Sequence, residues 1–522
     1  MVALLISLAA AEVGTEHPPP SQAADARTPE SSLPLLDAVR ITLRCHPIIT
    51  QADAQVQART ADMLAAHAVF DPVATSRFGY DHNQTPVLPG QAYAAETEVV
   101  DDVTELDLGA SATLPWGTSI APSVGLSRIR QQREPGDPAV PGLLGQPWQQ
   151  AHASLAIGQP LLRGRGEVGT ASGLVAARHE RESAAYTRSY VAQQAVFGTV
   201  TAYWELVAAS EQVGVLEKAE ARARRLLDET RELVFGKQRP AADMTQVEGH
   251  LFNRARSVAE ARRARRRALH ALHVAIGLPG DGPTPEWVTA DALPRPTALG
   301  GGDLADRATM TRLDLRASRS AVEAARASLA GAERNQLPAL DLGLSIGYVG
   351  ASSKDGLGPF VGALGANVPG VSAGVHLTLE LPILNDARRA ERDRESAELR
   401  LRTAVLEDRG RRVRIGVAGA IDELRLSAEA VAAAEREAER YARAVDDEQT
   451  KLRAGLSTVI DVVLTEDNLT QAELALTGSR LEYAVALASL RFESGDLPST
   501  ESAAAASLSL VLDAQGMSHG GR

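Results

Sequence analysis

The sequence is a tandem duplication, and no other feature constrains its fold as tightly. Val39 to Tyr80 and Ala305 to Ile346 share one frame, in which His46, Val56 and Pro72 stand 266 positions before Arg312, Val322 and Pro338. Ser154-Leu-Ala-Ile-Gly-Gln-Pro-Leu-Leu162 matches His376-Leu-Thr-Leu-Glu-Leu-Pro-Ile-Leu384 at an offset of 222. Glu205, Leu206, Asp243, Leu251, Leu272 and Gly277 match Glu423, Leu424, Asp461, Leu469, Leu490 and Gly495 at an offset of 218. Each half must therefore build the same unit of helix, strands, long helix, turn and helix.

The helical runs have related lengths. Residues 168–235 and 386–452 are long helical patterns of 68 and 67 residues, each roughly 100 Å long and too extended for a compact domain. The flanking helices, 33–70 with 243–276 and 301–336 with 456–492, hold 72 and 73 residues per pair. Two short helices stacked end to end would span one long helix. Val417, Leu424, Val431, Ala438, Val445 and Leu452 recur every seven residues, as do Val462, Leu469, Leu476, Tyr483 and Leu490. The same frame in the first repeat gives Leu206, Val213, Leu227 and Val234, then Met244, Leu251, Val258 and Leu272. A repeat of seven predicts left-handed coiled-coil packing. The seam is narrow and its flanks charged, which suits helix pairs arranged around a water-filled space better than a dry bundle. Aromatic residues are only 4% of the chain, too few for large compact cores.

Between the helices the pattern changes to period two. Leu106, Leu108, Ala110, Ala112 and Leu114 share one face of a candidate strand, and Asp107, Gly109, Ser111 and Thr113 the other. Leu340, Leu342, Leu344, Ile346 and Tyr348 likewise oppose Asp341, Gly343, Ser345 and Gly347. Aliphatics opposite small polar residues and acids suit a barrel wall between lipid and water. Gly356 to Leu379 carries no charge and could span a bilayer as a helix. Six glycines and two prolines interrupt it, however, and Val371 to Leu381 alternates. It reads as a strand, so a chain like this can enter a membrane only as a closed barrel.

Several functions are disfavoured. Fifty-four Lys and Arg against 66 Asp and Glu leave a net charge of −12, which repels phosphate backbones. Cys45 is the only cysteine and reads as a half-buried thiol, so no disulfide within the chain is expected. His270 and His273 could reach one metal ion but have no evident third ligand, and no metal site is expected. The Arg262 to Arg267 cluster reads as a solvated helix face. Asp101-Asp102 and Glu105-Asp107 are expected to flank a strand next to a loop. No Ser/His/Asp arrangement or phosphate-cradling glycine loop has a supporting context, so neither an enzyme nor a cofactor is expected. Met1 to Ala11 is apolar and small and resembles a signal peptide without its basic start. Residues 1–32 read as leader and linker, and 499–522 as a frayed, disordered tail.

Leu-Arg-Cys-His-Pro47, Phe-Asp-Pro72, Gln-Pro-Leu-Leu-Arg163, Thr-Ala-Tyr-Trp-Glu-Leu206, Ala-Gly-Leu-Ser-Thr458 and the duplication together resemble the TolC-like outer-membrane efflux proteins, over roughly residues 33 to 500. The resemblance implies a mainly α fold with a membrane β-barrel segment, in which a homotrimer shares one barrel in outer-membrane lipid and a helical tunnel across the periplasm. It implies passive export from a Gram-negative cell through a periplasmic adaptor (membrane fusion) protein and an inner-membrane pump. On this reading the first repeat covers 33–300, with strands within 73–160, a tip at 236–242 and a linker at 277–300. The second covers 301–498, with strands within 338–382 and a tip at 453–456. The family's aspartate gate falls on Asp243 and Asp461, and Leu464 stands where drug-efflux members often carry a second Asp. Ser457 and Leu452 stand where some members carry Arg and Tyr latches, so a latched gate of that type is not expected and a more apolar constriction is. Adaptor docking falls on the tips at Gly236, Lys237, Gly455 and Ser457. The alternative reading makes each acid only a first-turn residue favoured by the helix dipole.

Barrel size is a separate expectation. Pro72 leaves one helix and Pro160 returns to another on the same side, so the crossings between them are even in number, two or four. Residues 73–82, 103–115, 118–129 and 151–160 supply four candidates and the second repeat two, at 338–349 and 371–382. Four predicts eighteen strands in three chains, against the family's usual twelve; two leaves the hairpin around Trp116 outside as a flap. The competing function is a coiled-coil structural protein of the envelope that forms no channel. The exported substrate is not legible.

Overall fold

A computed structural model describes residues 32–86, 98–133, 148–237, 239–280, 285–297, 304–352 and 370–501. Of the leader and linker expected at 1–32, residues 1–31 lie outside them, as does the end of the expected tail. In chain order the elements are β1 (Ser32–Leu33), α1 (Leu35–Cys45), α2 (Pro47–His67), β2 (Val73–Pro86), β3 (Glu98–Thr113), β4 (Ser119–Arg133), β5 (Trp148–Pro160), α3 (Gly166–Thr170), α4 (Ser172–Phe235) and α5 (Ala241–Ile276). The second repeat continues with β6 (Val288–Thr289), α6 (Leu304–Thr311), α7 (Leu313–Asn335), β7 (Ala339–Ser352), β8 (Val371–Glu380), α8 (Asp386–Arg453) and α9 (Val459–Glu493).

The two long helices, α4 with 64 residues and α8 with 68, set the length of the molecule. α4 packs on α2 and α5 along one side and on α7 and α9 along the other, and α8 packs on α7 and α9. The result is a curtain four helices wide, with α2 and α5 at one edge and α8 at the other. The heptad residues explain the adhesion. Val417, Leu424, Val431, Tyr483 and Leu490 are buried in one cluster, and Leu452, Val462, Leu227 and Val247 in another nearer the tips. A third cluster gathers Leu35, Val39, Val200, Tyr203, Trp204 and Ile276 beside the short parallel pair β1–β6.

The single helices expected over 33–70 and 301–336 are each broken in two. The breaks fall at duplicated positions. His46 is extended (φ −68°, ψ 123°) because Pro47 excludes the helical region from the residue before it. Arg312 is extended as well (φ −58°, ψ 130°), with no proline after it. Its buried guanidinium binds Asp314 and Glu493 instead. These breaks let α5 stack end to end on α2 and α9 on α7.

The six longer strands form one antiparallel sheet in the order β2-β3-β4-β5-β7-β8. The hairpin around Trp116 is no flap off this sheet. β3 pairs with β2 from Val73↔Ser111 to Pro86↔Glu98, and β4 pairs with β5 from Ser119↔Gly158 to Ile129↔Trp148. The two repeats join where β5 pairs with β7. At the hairpin turn the Leu114 amide donates to the Thr118 carbonyl at 2.8 Å, and the Gly166 amide donates to the Trp116 carbonyl at 3.0 Å. Gly117 has φ +96°, and a Cβ there would stand 2.3 Å from the Gly164 carbonyl oxygen, so the turn sits directly on the chain leading into α3.

Candidate functional site

The sheet separates two chemistries by its pleat. Leu108, Val124, Ala153, Tyr348 and Val371 align across one face, and Phe78, Leu344, Ile346, Val375 and Leu377 on that face are exposed. The other face carries the row Thr75, Gly109, Ser123, Ser154, Gly347 and Ser372. Its imidazoles lie over glycines of neighbouring strands. His152 crosses Gly125 to reach Asp107, with Nε2 to Oδ1 at 3.7 Å, and His376 covers Gly343. The Asp101-Asp102 and Glu105-Asp107 acids thus lie inside β3 instead of flanking a strand. Asp102 emerges on the apolar face, where Tyr80 and His82 each bond its Oδ1 at 2.8 Å.

At the opposite end the helices reverse through two tips. Lys237 has φ 58° and Gly455 φ 75°, the left-handed backbone that closes each reversal. Gly236 and Lys237 end α4, and Asp243 lies in the first turn of α5. In the second tip Thr458 and Asp461 form a capping box. The Asp461 amide donates to Thr458 Oγ1 at 3.2 Å, and the Thr458 amide donates to Asp461 Oδ2 at 3.1 Å. The Thr458 hydroxyl, which also donates to Asp461 Oδ2 at 2.6 Å, and then the Thr458 amide hold the Asp461 carboxyl below its ordinary range. Ser457 donates to Glu448, and Leu452 is buried. Arg239, which the sequence did not single out, joins the tips by donating to the Ser457 carbonyl.

Residues 304–496 match the family model of the outer membrane efflux protein. That similarity covers the second repeat, from α6 through α9. The solved outer-membrane channel OprN superposes with a TM-score of 0.63 at 16% identity, over 88% of this chain and 89% of its own. CusC, solved in a study of folding and transmembrane channel formation, gives 0.61 at 15% identity over 91% and 94%. The open state of the MtrE outer membrane channel of Neisseria gonorrhoeae gives 0.57 at 17% identity over 88% and 88%. No curated protein matches the sequence. The shared fold is a curtain of long helices continued by a sheet.

Above its tips, the chain links its two helical hairpins through half-buried charge. Arg254 of α5 pairs with Asp467 of α9, and Arg222 of α4 with Glu473 of α9 at 3.2 Å. His250 lies 3.7 Å from Asp467, and burial, reinforced by Arg254, lowers its pKa to about 4. Glu466 is 2% exposed and accepts from Gln449 at 3.1 Å; burial raises its pKa. His270 and His273 stand edge to face at 6.1 Å, and His273 packs on Trp287. Among the described residues no group of three His, Cys, Asp or Glu could hold a metal ion. Arg262 and Arg266 of the basic cluster pair with Glu217 and Glu286 at the surface. No described helix is long and apolar enough to cross a membrane.

Proposed function

We propose that three copies of this chain form an export channel of a Gram-negative outer membrane, with the sheets sharing one barrel in lipid and the helices forming a tunnel into the periplasm. One observation carries the reading. A sheet with exposed aliphatics on one face and glycine, serine and acids on the other continues directly into helices about 100 Å long. Such a wall has lipid and water for its two sides, and a solvated coiled-coil scaffold has no use for the apolar one. Transport is passive, driven by an inner-membrane pump through a periplasmic adaptor that docks at Gly236, Lys237, Gly455 and Ser457. The tunnel narrows at the tips, where Asp243, Asp461 and Leu464 form the constriction. Reconstitution of detergent-purified protein into planar bilayers tests this. Discrete ion-conducting steps are expected; extraction without detergent together with silent bilayers would favour the scaffold.

A further inference from the structure

The two layers of the chain have the same open edges. β2 follows α2 and β8 precedes α8, so α2 and α5 continue β2 on one side of the molecule, and α8 continues β8 on the other. Among the described residues β2 and β8 each lack a strand partner on one side, and hydrocarbon cannot satisfy such a backbone. The helical edges expose aliphatic and aromatic groups, Leu64 and Phe252 on one side and Leu401, Ile415 and Leu426 on the other. At about 100° per residue the α8 trio falls within about 40° and faces about 140° away from that helix's buried seam. A second copy covers both edges at once. β2 and β8 run in opposite directions, so the seam between copies is antiparallel like the rest of the sheet.

Widths decide what the closed assembly looks like. Four helices side by side occupy about 36 Å of wall at the usual interaxial spacing. Six strands tilted as in known barrels span about 38 Å, whereas four would span about 25 Å. We infer that three copies close their six-stranded sheets into one eighteen-stranded barrel whose perimeter matches that of the helical tunnel. The extra hairpin β3–β4 supplies the matching width. The conduit therefore keeps its bore to the outer surface, its inner wall there paved by small residues such as Ser123 and Ser154, and size selection falls to the tips.

This inference rests on the trimeric channel reading, and the experiment separates the two. In a Cys45→Ser background, spin labels go singly on Leu108→Cys in β3, Val124→Cys in β4, Ile346→Cys in β7 and Ser154→Cys in β5. Assembled protein is placed in phospholipid vesicles and probed with molecular oxygen and a water-soluble nickel chelate, and native mass spectrometry counts the copies. Leu106→Cys or Leu126→Cys replaces a hairpin variant that fails to assemble. Three copies are expected, with nickel broadening lost at 108, 124 and 346 and retained at 154. Nickel broadening at 108 and 124 but not at 346 would overturn the eighteen-stranded barrel while leaving a channel. Broadening at all four sites, or a copy number other than three, would overturn the trimeric channel with it.

Discussion

A Cβ built on Gly277 would stand 2.7 Å from the Cα of His46, so the end of α5 touches the start of α2 through a glycine. The duplicated contact is looser, with a Cβ on Gly495 standing 3.3 Å from Arg312 Cγ. Both glycines have left-handed backbone, at φ +81° and +79°. Gly495→Ala is expected to lower stability by about 1–2 kcal/mol, the strain of an alanine in that conformation. Gly277→Ala adds a collision with backbone and is expected to cost more. Denaturant midpoints of the two variants check the order, and equal losses would contradict the stacking argument.

His250 predicts a pH dependence. Its folded pKa of about 4 lies below its ordinary 6.5, so between these values the unfolded chain binds a proton that the folded chain refuses. Stability from this group is complete above pH 6.5 and falls as the medium acidifies towards pH 4. Glu466 works in the other direction, because its raised pKa lets the folded chain take up a proton first. His250→Gln isolates the first contribution. The stability advantage of wild type over this variant is expected to shrink by about 2 kcal/mol between about pH 7 and about pH 5. A constant difference across that range would show that His250 titrates freely.

How much of this was legible depends on the range of the interaction. The seam at Val417, Leu424 and Val431 was readable because one residue class recurs on one helix face. The break at His46 was signalled by Pro47, but the break at Arg312 was not. An arginine there reads as helix surface until Glu493, 181 residues away, is seen to bind it. The acids of β3 read as flanks in the sequence because carboxylates are uncommon in strands; the Tyr80, His82 and His152 that accommodate them lie on other strands. Asp461 was identifiable as a first-turn acid, and Thr458 three residues earlier explains its local role. The link from Arg254 to Asp467 had no signal, since each charge alone looks like a solvated face.

Asp243 and Asp461 make a selectivity prediction. Three copies of each around a narrow axis would concentrate cations, and the capping bonds keep Asp461 ionised below its ordinary range. Asparagine retains a capping oxygen while removing the charge. Asp243→Asn with Asp461→Asn is therefore expected to leave the channel assembled and reduce its preference for cations, read as a shifted reversal potential in a salt gradient. An unchanged potential in the double variant would remove both residues from the gate.

The tips also predict where an adaptor docks. Lys237 is exposed at one reversal, and Phe235 and Leu456 project apolar side chains from the two tips. Photo-crosslinkers at Lys237 and Ser457 are expected to capture a periplasmic adaptor in cells. Capture only from the loops between strands would place docking elsewhere.

Leu464 tests what closes the tunnel. Ile460 and Leu464 lie one turn apart on α9 and are 53% and 59% exposed, while Val459 and Val462 of the same turn are buried against α5 and the end of α8. Asp461 stands between the exposed pair, but its carboxylate is turned back onto Thr458. In a trimer the two aliphatics of each copy would face one axis, and a ring of aliphatics excludes ions because it does not hold water. Leu464→Ala is expected to raise resting conductance without changing ion preference. Leu464→Asp, by wetting the ring and adding charge, should raise both conductance and cation preference. Wild-type conductance in both variants would place the constriction away from Leu464 and return the gate to the acids alone.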